Sequence, residues 1–341
     1  MPATTSLRAS WKRLLLPDLP RSSHTLSLQR PATAVLFSGE HQPREPVSNE
    51  VYLVDLSVVS KVPFNTPPSS DLVRIVKPDT TTPEPRVGSA SASLGGKTYV
   101  FSGRAGKDFS PLNSRLYEFS TNTEAWRTLE AATDSTLPQP RSYHALTAAG
   151  TSIYLHAGCS ASGGRLNDMW SFDTKTNVWT PLMDAPGYPR GGTSLVNSRD
   201  ETRLYRIGGF DGKKEIGGSL DIYDIAHNAW SSIPYEGGPI ARSVAALAST
   251  ILAGQEYLVY LFGEADPSAI GHAGAGKFLD DVWAFDVDNG RWIEVEQKGD
   301  RPTARGWVDA VAWEDDKILV QGGLGENNDR LGDWWMLQLE I

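Results

Sequence analysis

Short apolar runs, each alternating with polar positions and ended by glycine, recur along the whole chain. The clearest example lies between Arg242 and Trp292. Ala-Arg-Ser (241–243) leads to the apolar run 257–262, which breaks at Gly263-Glu264. A loop from Ala265 to Lys277 follows, then Leu279-Asp-Asp-Val-Trp283-Ala-Phe285-Asp286, and the unit closes on Arg291-Trp292. Strict alternation over four to eight residues between turn signals predicts half-buried strands. Four such runs per unit predict a small antiparallel sheet.

The unit repeats. Arginine recurs at 21, 86, 141, 190, 242 and 305, each followed by an apolar run ending in glycine at 39, 103, 158, 209, 263 and 323. An aromatic–apolar–Asp strand follows in most units, and tryptophan closes four of them, at 126, 179, 230 and 292. The period of roughly 50–65 residues is near that of kelch repeats. Six four-stranded units over residues 1–341 predict an all-β chain forming one domain, a six-bladed kelch-type β-propeller. The sixth unit has no closing tryptophan, whereas Ser10-Trp11 precedes Pro20-Arg21 as the other closing strands precede their arginines. The N-terminal strand is therefore expected to join the last blade, with Trp11 in its outermost strand.

Composition narrows the function classes. No apolar run approaches the 18 residues a membrane helix needs, and the first residues lack the apolar core of a signal peptide. The single cysteine, Cys159, rules out an internal disulfide framework and fits a reducing compartment. The net charge of −9, without a basic block, argues against nucleic acid. The expectation is a soluble cytoplasmic protein of unknown oligomeric state.

In a propeller the connections between blades and the loops between second and third strands share one face. The arginines and the residues after the glycines should therefore ring one mouth. The post-glycine positions are chemically varied, as Glu40, Arg104, Cys159, Phe210, Glu264 and Leu324. His24 and His144 follow Arg21 and Arg141 by three residues, and each could equally be a hydrogen-bonded core residue. These positions predict one concavity for a drug-sized molecule, in which Arg21, Arg104, Arg190, Arg242 and Trp307 meet. The loop of the fifth unit adds Glu264, Asp266 and His272, an oxygen-rich set suited to a weakly held divalent metal or simply a solvated acidic loop. Gly271 to Lys277 spells GxxxxGK, but no Ser or Thr follows and the segment leads into a strand, whereas a phosphate loop must open a helix.

These residues resemble the plant specifier proteins (epithiospecifier, nitrile-specifier and thiocyanate-forming) and their fungal kelch relatives. The resemblance covers nearly the whole length and is carried by Trp11, Pro20-Arg-Ser-Ser-His24, Ser102-Gly-Arg104, Arg141-Ser-Tyr-His144, Arg190-Gly-Gly192, Ala241-Arg-Ser-Val244, Phe262-Gly-Glu264 and Ala304-Arg-Gly-Trp307. It implies Fe²⁺ on a Glu-x3-Asp-x3-His set, with a substrate-contacting arginine at Arg104 and a tryptophan at Trp307. Glu264 and His272 keep the eight-residue separation, but Ser268 stands where the family has Asp, and Asp266 lies two residues early.

The expected function is a specifier-like lyase or a cyclase of secondary metabolism. It would direct rearrangement, elimination or cyclisation of a reactive intermediate, with Fe²⁺ or as a metal-free pericyclase. Glu264, His272 and Arg104 would be catalytic; Arg21, His24, Glu40, His144, Arg190, Phe210, Arg242 and Trp307 would bind substrate; Glu264, Asp266 and His272 would hold the metal. The alternative is a non-catalytic kelch module that docks a protein on the same face, although these loops are rich in Gly, Ala, Ser and charge rather than large apolar residues.

Overall fold

The computed structural model describes residues 6–29, 31–59, 61, 69–105, 110–270 and 274–341. Six antiparallel sheets stand around an axis. Blade 5 is typical: Ala246–Leu252, Gln255–Leu261, Val282–Asp286 and Arg291–Glu294 pair in chain order. Among the described residues no helix is long and apolar enough to cross a membrane.

Closure follows the sequence expectation with one addition. Arg8–Arg13 pairs antiparallel with Arg330–Glu340, placing Trp11 opposite Leu337 in the blade that holds Trp307. It is not the edge, however. Glu296–Lys298, which continues from blade 5, adds a further parallel strand outside it. The Trp11 indole donates to Gln297 Oε1 at 2.7 Å across that pair. The extra strand covers an edge that would otherwise carry unpaired amides.

Closing tryptophans wedge between neighbouring blades. Trp126 lies 4.8 Å from Phe37, Trp179 5.4 Å from Phe101, Trp230 5.6 Å from His156 and Trp11 5.9 Å from Phe262, centroid to centroid. Each partner belongs to the preceding blade. The cores are thus seams between sheets, where tilted aromatic pairs add about 0.5–1.5 kcal/mol beyond their buried area.

Two rings of backbone hydrogen bonds bind the blades at one face. In the first, the amides of Gly39, Gly103, Gly158, Gly209, Gly263 and Gly323 donate to the carbonyls of Arg86, Arg141, Arg190, Arg242, Arg305 and Arg21, at 2.9–3.0 Å. These glycines have φ of +102 to +109°, a region closed to side chains, which is why glycine punctuates every unit. In the second, Ser23, Gly88, Tyr143, Gly192, Val244 and Trp307 each donate to the preceding member of the circle, and Ser23 donates to Trp307. Every bond is 2.7–3.0 Å and every φ lies between +48 and +63°. This ring narrows the axis. On its far side the channel widens to about 700 Å³ between the first strands of the blades.

The six repeat arginines are part of this frame, and here the sequence expectation is corrected. Their guanidinium Nη1 atoms donate at 2.8–3.2 Å to the carbonyls of Ser38, Ser102, Ala157, Gly208, Phe262 and Gly322. Their Nε atoms donate to the carbonyl two residues upstream. All six are at least 96 % buried, so Arg21, Arg190 and Arg242 hold peptide oxygens where they were expected to hold substrate. Three also clamp an Asp that accepts a tryptophan indole: Arg141–Asp168–Trp170, Arg242–Asp281–Trp283 and Arg305–Asp333–Trp335.

Candidate functional site

Each post-glycine residue pairs with the residue after the repeat arginine: Ser22 with Glu40, Val87 with Arg104, Ser142 with Cys159, Gly191 with Phe210, Ser243 with Glu264, and Gly306 with Leu324. The two sets deduced from topology therefore do share one mouth. There, above the second backbone ring, lies a cavity of about 220 Å³. Its floor is made of four ring residues, Tyr143, Gly192, Val244 and Trp307; Cys159, Arg165, Phe210, Ser243, Glu264 and Pro267 are among its walls. It is smaller than the ~300–1,000 Å³ of drug-sized ligand sites, which corrects the expected ligand size downward.

Three residues of the floor are strained. Val244 at φ +49°, Trp307 at +48° and Tyr143 at +51° occupy the left-handed region, which costs about 1–3 kcal/mol per residue. Gly88 leaves room for Tyr143: a Cβ there would stand 2.8 Å from the ring. Phe278, edge-on at 5.9 Å, orients the Trp307 indole.

The walls are chemically opposed. On the blade 3 side, burial raises the Cys159 thiol above its usual range, against the pull of Arg165 and Arg104, and keeps it protonated. Arg165 pairs with Cys159 in register, donates from Nη1 to the Gly163 carbonyl at 3.2 Å and lies over the Phe210 ring. Its buried Nε has no hydrogen-bond partner. Arg104 Nε donates to Ser142 Oγ, and its charge reaches Tyr143 and Cys159. On the blade 5 side, Glu264 is 4 % exposed and accepts the Gly276 amide at 2.9 Å. Burial lifts its carboxyl to about 7, with that amide opposing the rise. A Cβ on Gly276 would collide with the Glu264 carboxylate and the Asp266 carbonyl, so the loop there is a cradle for Glu264.

Other expected residues lie elsewhere. Glu40 is buried in an ion pair with Arg330 at 2.8 Å and also accepts the Arg44 amide. His24 and His144 face the axial channel, not the cavity, and burial beside Arg21 and Arg141 lowers each to about 3, leaving them neutral. Asp266 is exposed, on a short strand pairing with Lys277. His272 falls outside the described residues. Of the described members of the Fe²⁺ set implied by resemblance, Glu264 faces the cavity and Asp266 does not line it. Among the described residues no three His, Cys, Asp or Glu side chains gather as a metal shell.

Three site residues escaped the sequence reading. Tyr143 and Val244 hold the same repeat position as Trp307, two after the arginine, so aligning the units would have exposed them. Arg165 opens the third strand of its blade directly after Gly163-Gly164. Only its register against Cys159 marks it.

The fold resembles that of YjhT, a solved structure matched with a TM-score of 0.72 over 96 % of this chain and all of that one, at 14 % identity. Over 93 % of its length the chain is 25 % identical to the N-(sulfonatooxy)prop-2-enimidothioate sulfolyase of Thlaspi arvense, covering 92 % of that protein. Over 78 % it is 26 % identical to Kelch domain-containing protein 3 of Mus musculus, covering 68 % of it. The KLHDC2/KLHL20/DRC7 Kelch-repeats domain model matches residues 23–263 and 183–341. With that match spanning every blade, the chain belongs to the Kelch-repeat family.

Proposed function

We propose that this propeller is a lyase-type enzyme that steers the breakdown of a small anionic organic intermediate in the cavity above the backbone ring. The observation that carries the reading is the opposition, within one small enclosure, of the Arg165 guanidinium and the buried, near-neutral Glu264 carboxyl. A preformed cation suits a departing anion, and a carboxyl poised near neutrality suits proton transfer. The likeness to a sulfolyase supports a sulfonated substrate. As its N–O bond breaks, the departing oxygen takes that electron pair, the carbon substituent migrates with its bonding pair from carbon to nitrogen, and a sulfur lone pair closes the C=S bond, giving an isothiocyanate and sulfate, whose charge Arg165, backed by Arg104, offsets. Glu264 holds or accepts a proton at the opposite end. Trp307 and Phe210 enclose the apolar portion and fix its orientation relative to both groups.

The test is to supply N-(sulfonatooxy)prop-2-enimidothioate and compare the products with those formed in buffer. The wild type should change the product distribution, and Arg165→Ala and Glu264→Gln should each reduce that change at least tenfold. If all three proteins return the buffer distribution, the lyase reading fails. One observation favours protein docking instead: Leu137, Tyr188, Ile240 and Ile270, on connections of this same face, are 49–69 % exposed. Such residues suit a partner interface.

A further inference from the structure

Arg165 borders the cavity without a counter-ion. Four other arginines of this face are paired with acids: Arg330 with Glu40, Arg141 with Asp168, Arg242 with Asp281 and Arg305 with Asp333. Among the described residues no carboxylate pairs with Arg165. Its Nη1 donates to the Gly163 carbonyl of an exposed turn, its Nε makes no hydrogen bond, and its guanidinium carbon lies 5.7 Å from the centroid of the Phe210 ring. The contact crosses a seam, from blade 3 to blade 4. An aromatic face attracts a cation through its quadrupole and leaves the charge in place, whereas a carboxylate would cancel that charge and compete with an incoming anion.

The ring is itself fixed. Phe210 and Gly191 exchange two backbone hydrogen bonds, at 2.8 and 3.0 Å, and Phe210 bridges Glu215 on the returning limb of its loop. Gly191 also leaves room for the arginine stem. A Cβ there would stand 2.7 Å from Cys159 Sγ, and 3.5 and 3.6 Å from Arg165 Cδ and Nε. Its φ lies outside the left-handed region, so the position needs space rather than backbone freedom.

We propose that Phe210 is a positioning residue for Arg165: its ring face holds the guanidinium at the cavity, and so sets how tightly the cavity binds a sulfate group. A long arginine stem loses rotamer freedom when it is held in one geometry. A ring already locked to Gly191 bears that loss before the anion arrives, which is how preorganisation raises affinity. Gly191 serves the same end by leaving the stem its path beside Cys159. Sulfate as the anion rests on the lyase reading, but the test reads binding alone and needs no turnover.

The experiment is calorimetric titration of the full chain with inorganic sulfate at fixed ionic strength. The proteins are the wild type, Phe210→Leu, Phe210→Tyr, Arg165→Ala and the Phe210→Leu, Arg165→Ala double variant. Phe210→Leu should weaken sulfate binding by about three- to tenfold, the range a partly desolvated cation–ring contact supplies. Phe210→Tyr keeps the ring and should bind as the wild type does. In the Arg165→Ala background Phe210→Leu should change nothing further, because the partner it acts through is gone. Equal affinities in the wild type and Phe210→Leu overturn the proposal, as does the same loss with and without Arg165. Wild-type sulfate binding that is absent, or that survives Arg165→Ala unchanged, overturns it too. If Phe210→Leu does not fold, NMR of the wild type decides. The Arg165 Nε proton, identified by its absence from Arg165→Ala, should be shifted upfield by the ring and move on adding sulfate; an unshifted resonance refutes the stacking. Phe210-dependent sulfate binding with products unchanged from buffer would keep the pair and remove the lyase. Altered products with sulfate affinity indifferent to Phe210 would do the reverse.

Discussion

The Trp307 amide donates to the Val244 carbonyl at 3.0 Å, although both residues lie in the left-handed region that a branched or bulky side chain avoids. The bond is one of six in a closed circle, so neither residue can relax without breaking the ring on both sides. The strained positions that floor the cavity are thereby held by the whole propeller. Gly88→Ala tests this: its Cβ would meet the Tyr143 ring at 2.8 Å, at a residue with φ +63°. Thermal unfolding should show a loss of about 1–3 kcal/mol, whereas Gly150→Ala, at φ +61° with open space around it, separates the backbone effect from the clash.

Ring closure through Arg8–Arg13 predicts that Trp11→Ala destabilises the protein by about 3–5 kcal/mol, the range for deleting a buried tryptophan. Trp11 is 8 % exposed and touches both Phe262 and Trp335, so its loss opens the seam between the last two blades. Chemical denaturation with an unchanged midpoint would contradict that closure.

Blades 3 and 4 are joined by a buried polar chain. Arg206 donates to Asp221 Oδ2 at 2.6 and 3.0 Å and contacts His156 Nε2 at 3.2 Å, while His156 Nδ1 lies 2.9 Å from the Asp168 carbonyl. That geometry places the histidine proton on Nδ1 and keeps the ring neutral, in line with its lowered pKa. Removing one charge of such a pair strands the other, so Asp221→Ala should lower stability by about 3–5 kcal/mol. Urea unfolding reads it.

Stability should fall as pH rises from about 6.5 to above 8. Glu264 and Glu215, raised to about 7 and 8, and Asp309, raised to about 7 by burial in the channel, keep protons that the unfolded chain has already released. His24 and His144 act oppositely and in another window. Lowered to about 3, they leave the folded state with fewer protons than the unfolded one up to the ordinary value of 6.5, so stability is lost on acidification below it. Unfolding midpoints at about pH 6.5 and 8.5 isolate the carboxyls. Glu264→Gln and Glu215→Gln should each flatten the alkaline fall.

Gly276→Ala should expel the Glu264 carboxyl from its cradle and break its hydrogen bond from the Gly276 amide. In the product assay it should mimic Glu264→Gln with the global fold retained, as circular dichroism would show. Wild-type products from Gly276→Ala would mean the cradle does not position Glu264.

Sequence by itself determined the blade count, the strand that closes the circle and the face on which varied residues collect. Each of these follows from a period-two pattern repeated with arginine and glycine at fixed places, and glycine is demanded by φ values near +105° whatever the neighbours do. Trp307, Phe210 and Glu264 were also legible as lining residues, since topology alone carries the post-glycine and post-arginine positions to one mouth. What a polar side chain does there was decided by tertiary contacts. Arg242 and Arg165 are both arginines of that face, yet one is consumed by the carbonyl of Phe262 and by Asp281 while the other borders the cavity. Glu40 and Glu264 occupy equivalent repeat positions, but Arg330 neutralises the first, and burial beside Gly276 keeps the second near neutrality. Partners brought from tens or hundreds of residues away make that difference, because desolvation and charge pairing depend on what the finished ring packs around each group.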